Sequence, residues 1–573
     1  MKRCPECRRD FSDDTLSFCL DDGTPLVDGP ATEEPETALF RSQYSRGSSR
    51  ESSDEPATDI ITEPISLAER PNLGASKSKH RSVWLLVLFL GLLIPLGGFF
   101  AYRYFSPAKQ IQSIAVMPFV NESRNADIEY LSDGMTDTLI SNLSQIPNLS
   151  VKARSSVFRY KGKETTPRII GEELGVQAVL TGSVVQRGSS LVLHIELVDA
   201  VSENALWSAD YNSPMTDLLS LQSEIASDVS QRLKAKLSSA DKQKLARNYT
   251  ENPDAYQLYL KGRFYWNKRT AVENKKAVEY FEQAIALDPT YALAYAALAD
   301  SYILQLPSIS REERFSKARA AATKALEIDE TLGEAQTALA EVEVNAWNWP
   351  AAERGFKRAI ELNPSYPTAW HWHAELLSRL GRHDEAVREI KLAQELDPLS
   401  IPINSMVGHV LMMARRYDEA IEQFKKTLEM DRNFNLARVW LIETYIFKGM
   451  YEEAITEAEK RIEGPGENPE NRKMQRQNLA ELREAYKRSG AKGFWEQELS
   501  HMTQRQARGE NPRPLRMAEI YSNLGDNDKA LEWLETIFKE RGGDGYLKVD
   551  PGLDRLRDDA RFQELLRKAG FSA

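Results

Sequence analysis

Residues 386–398 read AVREIKLAQELDP, and the same thirteen-residue phrase returns with substitutions at 277–289 (AVEYFEQAIALDP), 318–330 (ARAAATKALEIDE), 352–364 (AERGFKRAIELNP) and 420–432 (AIEQFKKTLEMDR). Each copy closes on an acidic or amide residue followed in most cases by proline: Asp288-Pro289, Asp329-Glu330, Asn363-Pro364, Asp397-Pro398 and Asp431-Arg432. Their first members are 41, 34, 34 and 34 residues apart. A fixed period of this size marks a stacked repeat in which each unit is one helical pair.

The spacing inside each copy also holds. Twelve residues before the position that follows the closing residue (289, 330, 364, 398 and 432) stand Ala277, Ala318, Ala352, Ala386 and Ala420, and five before it Ala284, Ala325, Ala359, Ala393 and Thr427. Eight before it come Phe281, Phe356, Ile390 and Phe424, with Ala322 the exception. One helix face therefore alternates small crossing points with a large knob, the requirement for close helix packing. The pattern resembles the tetratricopeptide repeat, a helix-turn-helix unit of 34 residues, and the resemblance covers Tyr256 to Met450. It implies an α-solenoid whose inner helices line a concave surface.

At 573 residues the chain exceeds one hydrophobic core and divides into several units. Its net charge of -11 and pI near 5.5 make it a poor match for nucleic acid, which needs a concentrated basic face, so protein or peptide partners are expected. All three cysteines fall in the first twenty residues, a pattern of metal binding in a reducing compartment rather than of disulfides.

The segment Cys4–Gly23, CPECRRDFSDDTLSFCLDDG, places Cys4 and Cys7 in one knuckle and Cys19 at the start of a second, with Asp22 where a fourth cysteine would stand. Three thiolates and a carboxylate suit tetrahedral zinc. Residues 1–30 thus resemble a small zinc ribbon with one ligand exchanged; the competing readings are a degenerate ribbon without metal and a disordered N-terminus. Residues 31–81, acidic and rich in Ser and Pro, read as a disordered tether. Residues 82–102, SVWLLVLFLGLLIPLGGFFAY, carry no charge over 21 positions, enough to span a bilayer as one transmembrane helix (82–104). Arg70, Lys77, Lys79 and Arg81 before it outnumber Arg103 and Lys109 after it, which orients the N-terminus to the cytoplasm and the bulk of the chain outside the inner membrane.

Beyond the span, residues 110–214 read as a small α/β unit. Strands are expected at Ser113–Phe119 and Leu149–Lys152, helices at Tyr130–Leu143 and Pro167–Leu174, and a hairpin at Ala178–Val185 and Leu191–Val198. The stretches SIAVMPFVN, YLSDGMTDTLI, IGEELGVQAVLTGSV and LVDAVSENALWSADY resemble the TolB-like domain that precedes tetratricopeptide arrays in bacterial membrane regulators. That resemblance implies an architecture that accompanies signalling outputs and contributes no catalytic residues. Residues 215–250 are a helical connector, 251–463 the array, and 464–573 degenerate repeats with a C-terminal cap. Tyr256, Tyr259, Phe264, Tyr265 and Trp266 read as a helix packing on the α/β unit rather than as a ligand cage.

The chain contains no GxxxxGK phosphate loop, GxSxG elbow, HExxH, HRD or DFG motif, which points away from an enzyme. What it offers is the groove. Counting from inner-helix starts at Ala292, Gly333, Pro367, Ile401 and Asn435 puts Asp300, Glu341, Glu375, His409 and Glu443 at the ninth position, a mostly acidic stripe suited to a basic peptide. Neighbouring positions supply Thr337, Asn345, His371, Arg379, Met412 and Met413; the competing reading is a solvated acidic face. The expected function is a non-enzymatic, single-pass membrane protein that binds a protein partner in signal sensing or regulation, the alternatives being an envelope assembly or secretion scaffold and an enzyme accessory subunit.

Overall fold

The structure, a computed structural model, describes residues 2–3, 10–11, 27–28 and 111–571, apart from 124, 126–127, 147, 234–237, 239–248, 305–308, 464–467 and 540–544. The chain divides into two compact units, Met1–Phe105 and Ser106–Ala573. In the first, β1 (Lys2–Arg3) lies between β2 (Asp10–Phe11) and β3 (Val27–Asp28), both antiparallel to it, with Arg3 opposite Asp10 and Val27. The expected zinc ligands Cys4, Cys7, Cys19 and Asp22, the tether and the expected membrane span all lie outside the described residues. Among the described residues no helix is long and apolar enough to cross a membrane.

The second unit opens with a mixed sheet. Its strands are β4 (Ser113–Val116), β5 (Val120–Asn121), β6 (Ser150–Val151), β7 (Ala178–Arg187), β8 (Ser190–Asp199) and β9 (Ala205–Pro214), in the order β6-β4-β7-β8-β9 with β5 beside β7. Parallel pairing of β4 with β6 and β7 needs cover on both faces, which is why SIAV is an apolar run. The helices are α1 (Glu129–Ser144), α2 (Arg154–Val157), α3 (Pro167–Leu174) and α4 (Leu218–Arg232). The hairpin forms about Gly188 and Ser189, and β9 extends it by a further antiparallel strand that the sequence reading missed. ALWSADYNSP buries almost nothing but Tyr211, so it carries no apolar alternation to announce a strand.

The array follows as antiparallel pairs: α5 (Pro253–Trp266) with α6 (Ala271–Leu287), α7 (Ala292–Ile303) with α8 (Arg311–Ile328), and α9 (Gly333–Asn345) with α10 (Trp349–Leu362). Then come α11 (Pro367–Arg379) with α12 (His383–Leu396), α13 (Ile401–Met413) with α14 (Tyr417–Met430), and α15 (Asn435–Phe447) with α16 (Tyr451–Ile462). All five alanines at the first small position and all five large-position residues are fully buried. The closing Asp or Asn ends each outer helix in a non-helical conformation, extended at Asp288, Asp329 and Asp431, its amide bonded to the carbonyl of the small residue four positions earlier. Asp288, Asp329 and Asp431 also accept from the amide two residues on, which fixes the turn into the next inner helix.

The region expected to hold a degenerate pair is α17 (Pro469–Ala507), two helices joined across non-helical Ser489 and Gly490. A last pair, α18 (Pro514–Leu524) and α19 (Asn527–Lys539), precedes a 3₁₀ turn at Pro551–Leu556 and α20 (Ala560–Lys568). This terminal unit doubles back. Ala518, Leu534, Leu553 and Phe562 share one apolar core with Val344, Trp349, Phe356 and Leu376, and Met517, Ile520, Tyr546 and Val549 share another with Met406, Val410 and Met413. The tail expected to cap the last repeat therefore also covers α9, α11 and α13.

Candidate functional site: the concave face of the array

The inner helices α7, α9, α11, α13 and α15 begin at the five residues from which the register was counted. The ninth positions consequently fall on equivalent turns of stacked helices, but they do not form an open acidic stripe. Asp300 is buried, and burial pushes its carboxyl up to about 7 against the pull of Arg263 and Arg269. Its Oδ1 has no hydrogen-bond partner among the described residues. Burial also raises Glu341, as does neighbouring Glu375, while Arg379, Arg311 and Arg314 oppose the rise. At Glu375 burial is overcome by Arg379, His371 and His409, and the group stays below the usual range; Arg379 Nη2 donates to its Oε1 at 2.6 Å. Glu443 faces the buried guanidinium of Arg516 in α18. Glu375 is paired directly with Arg379, and Asp300, Glu341 and Glu443 each lie in the field of arginines of their own chain, so the stripe is charge-compensated rather than openly acidic.

The other expected lining residues divide. His409 is buried between Trp440 and Tyr546, ring centroids 4.3 and 4.7 Å away, and burial pushes its imidazole down to about 4. His371 sits beside Glu375 and is likewise lowered by burial. Asn345 accepts from Arg311 Nε at 2.6 Å. Thr337 is fully buried and donates to the Gly333 carbonyl at 2.8 Å, and Met412 and Met413 are buried in the apolar core. These last three serve packing and do not line a surface.

What covers the face is the terminal unit. Tyr546 lies with its ring centroid 4.8 Å from the Arg379 guanidinium. Arg415 Nη1 donates to the Val549 carbonyl at 2.7 Å and Nη2 to Asp554 Oδ1 at 2.6 Å. Trp349 Nε1 donates to the Ala569 carbonyl at 2.8 Å while its ring stacks on Phe571 at 5.0 Å, and Trp347 meets Phe538 edge-on at 5.3 Å. Sequence reasoning missed Arg415, Trp347 and Trp349. A signal was present: the turn between inner and outer helix requires a left-handed residue, which is glycine at Gly381, Gly449 and Gly525 but Arg269, Trp347 and Arg415 in three other repeats. A non-glycine residue held there costs roughly 1–3 kcal/mol and persists where its surroundings impose it.

The α/β unit grips the array at two places. Arg263 of α5 donates to Asp137 of α1 at 2.9 Å with Arg154 close by, and Tyr256 hydroxyl donates to Gln222 of α4. Farther along, Asp397 accepts from Ser155 and from Ser156, the latter at 2.6 Å, and Lys152 Nζ donates to the Glu395 carbonyl at 2.9 Å. A cavity of about 610 Å³ at this second contact is lined by Lys152, Glu172, Glu173, Trp370 and Glu395 among others. Of the α5 aromatic residues, Tyr256 meets the α/β unit, where Leu260 also closes on Gly134, whereas Tyr259 packs on Phe281 and Tyr291 and Tyr265 stacks on Tyr280 within the array. Among the described residues no group of three or more His, Cys, Asp and Glu is placed to hold a metal ion.

Comparison with known proteins agrees with the array. Residues 337–401 and 407–470 match one tetratricopeptide-repeat family model, and 258–291 and 515–541 match another. The chain thus carries tetratricopeptide repeats, with a small α/β unit ahead of them. Residues 109–258 match the model described as the second domain of HilA/YgeH-like transcriptional regulators. Among curated relatives, a protein named "Putative adenylate cyclase 3" from Rhizobium meliloti is 32% identical over 193 residues, 34% of this chain and 32% of that one. Transcriptional regulator HilA of Salmonella typhimurium is 25% identical over 147 residues, 25% of this chain and 27% of that one. The chain therefore spans about a third or less of the length of these relatives. Among solved structures, PilF of Pseudomonas aeruginosa is 18% identical, covering 46% of this chain and 96% of its own with a TM-score of 0.27. Tetratricopeptide repeats make the array a protein–protein interaction module.

Proposed function

We propose that this chain is a non-catalytic, membrane-anchored regulatory protein whose array recognises a segment of a partner protein. The observation that carries the reading is that the concave face already holds polypeptide: Tyr546, the Val549 carbonyl and Asp554 are met by Arg379, His409 and Arg415. Aromatic, backbone and carboxylate contacts of this kind are how repeat grooves take extended segments. The curated relatives add a regulatory context, since a protein named as an adenylate cyclase and one named as a transcriptional regulator share part of this chain while differing in named activity.

The anchor rests on the uncharged stretch 82–102, the orientation on the basic excess before it, and the TolB-like reading of residues 110–214 on the quoted sequence stretches. Zinc at Cys4, Cys7, Cys19 and Asp22 is supported by the donor set and by β1 and β2, which pair across the segment carrying Cys4 and Cys7. A photo-crosslinker placed at His371 of the full chain in its native membrane is expected to yield an adduct with a second protein. Adducts within the chain alone, or cyclic nucleotide formation by the purified full chain, would refute the reading.

A further inference from the structure

We infer that residues 546–554 are a resident, displaceable ligand of the concave face, and that the partner segment which replaces them presents the same chemistry: an aromatic side chain followed by a carboxylate about eight residues on. This rests on the proposal that the face binds a partner, and it specifies that partner's recognition motif.

The contacts are made by register positions of the face and by the turn that follows α13. Tyr546 meets the ninth residue of α13, His409, and the thirteenth residue of α11, Arg379. The Val549 carbonyl and the Asp554 carboxylate both go to Arg415. Arg379 and Arg415 are the cations of this part of the face, and they are matched here by a ring, a carbonyl and a carboxylate. Complementarity therefore favours an aromatic and acidic segment over the basic one that the ninth-position count alone suggests.

The strained turn residues point the same way. Arg415 and Trp347 hold left-handed backbone at positions where the neighbouring repeats use Gly381 and Gly449, and both direct their side chains to the terminal unit. Removing the strain by glycine would remove the contact, so the two are coupled. Before the 3₁₀ turn at Pro551–Leu556 the segment is a run of turns whose own bonds, from the Val549 and Asp550 amides to the Tyr546 carbonyl, are local and can travel with it when it leaves. Leu556, just beyond the segment and packed in one core with Ala518 of α18, keeps it hinged to the terminal unit.

The test uses the full chain and a labelled synthetic peptide of residues 545–557, GYLKVDPGLDRLR. The unaltered protein should bind it weakly, because the resident segment competes. The double variant Tyr546→Ala, Asp554→Asn should bind it at least tenfold more tightly. Adding Arg415→Ala should return affinity to the weak level, and a peptide carrying the same two substitutions should not bind. Equal affinity across these proteins overturns the inference. Should the double variant fail to fold, hydrogen exchange in the unaltered protein decides: amides at 546–554 exchanging well ahead of α11 and α13 support displacement, and exchange only with global unfolding refutes it. The crosslink at His371 reports separately on the partner. Peptide exchange without a partner adduct leaves the resident ligand standing and removes the regulatory reading; an adduct without peptide exchange does the reverse.

Discussion

Replacing Arg415 by glycine and, separately, by alanine separates two energies that the native residue combines. Its backbone has a φ of 65°, a left-handed conformation that alanine shares at a penalty and glycine adopts freely. The glycine variant should therefore be more stable than the alanine variant by about 1 kcal/mol. Both lose the same side-chain contacts. The hydrogen bond to the Val549 carbonyl comes from a charged donor, a class worth about 1.5–3 kcal/mol. The pair with Asp554 is partly exposed, 32% and 47% for the two side chains, so solvent screening holds it to at most about 1 kcal/mol. Docking of residues 546–554 should weaken by roughly 2–3 kcal/mol in either variant, which raises the open fraction by about 30- to 150-fold. Hydrogen exchange resolved to this segment reads the opening, and urea unfolding reads global stability. Equal global stability of the two variants would remove the strain argument, and unchanged exchange at 546–554 would remove the docking argument.

Four further outcomes are expected. Asp137→Ala leaves Arg263 and Arg154 without their shared carboxylate at a mostly buried junction, and calorimetry should show a loss of about 3–5 kcal/mol with the α/β unit melting apart from the array. Asp300 has a folded pKa of about 7, raised from 3.8 chiefly by burial and faced by Arg263, Arg269 and Glu334. Its stabilising contribution is thus complete below about pH 4 and is lost as pH rises through 7, up to about 4 kcal/mol by linkage; Asp300→Asn should flatten that part of a pH series of melting temperatures, and an unchanged slope would refute the assignment. His409, lowered to about 4 by burial, acts with the opposite sign: its contribution is complete above about pH 6.5 and lost as pH falls through 4, so His409→Gln should flatten only the acid limb. Finally, the purified full chain should carry one zinc ion, lost on Cys4→Ser with Cys7→Ser; equal metal content would remove the ribbon reading.

Much of the array was legible because its determinants are local. The alanines at 277, 318, 352, 386 and 420 recur at helical spacing, each repeat contacts its neighbours, and the inner helices begin where simple counting places them. The α/β elements with apolar signatures were legible for the same reason, whereas β9 is a polar edge strand that pairing with β8 alone defines. The ninth-position carboxylates were identifiable as residues but not as a surface. Their charge is set by Arg379 four residues from Glu375 and by Arg516 arriving from α18 to face Glu443. The decisive contacts join positions far apart in the chain, Arg415 to Val549 and Asp554, Trp349 to Ala569, Ser156 to Asp397. Periodicity encodes which face of a helix is apolar and says nothing of which distant segment will cover it. The sequence by itself determined a stack of helical pairs and its register; only the tertiary structure decided that the concave face is already filled, because that depends on where the chain returns after the break at Ser489 and Gly490.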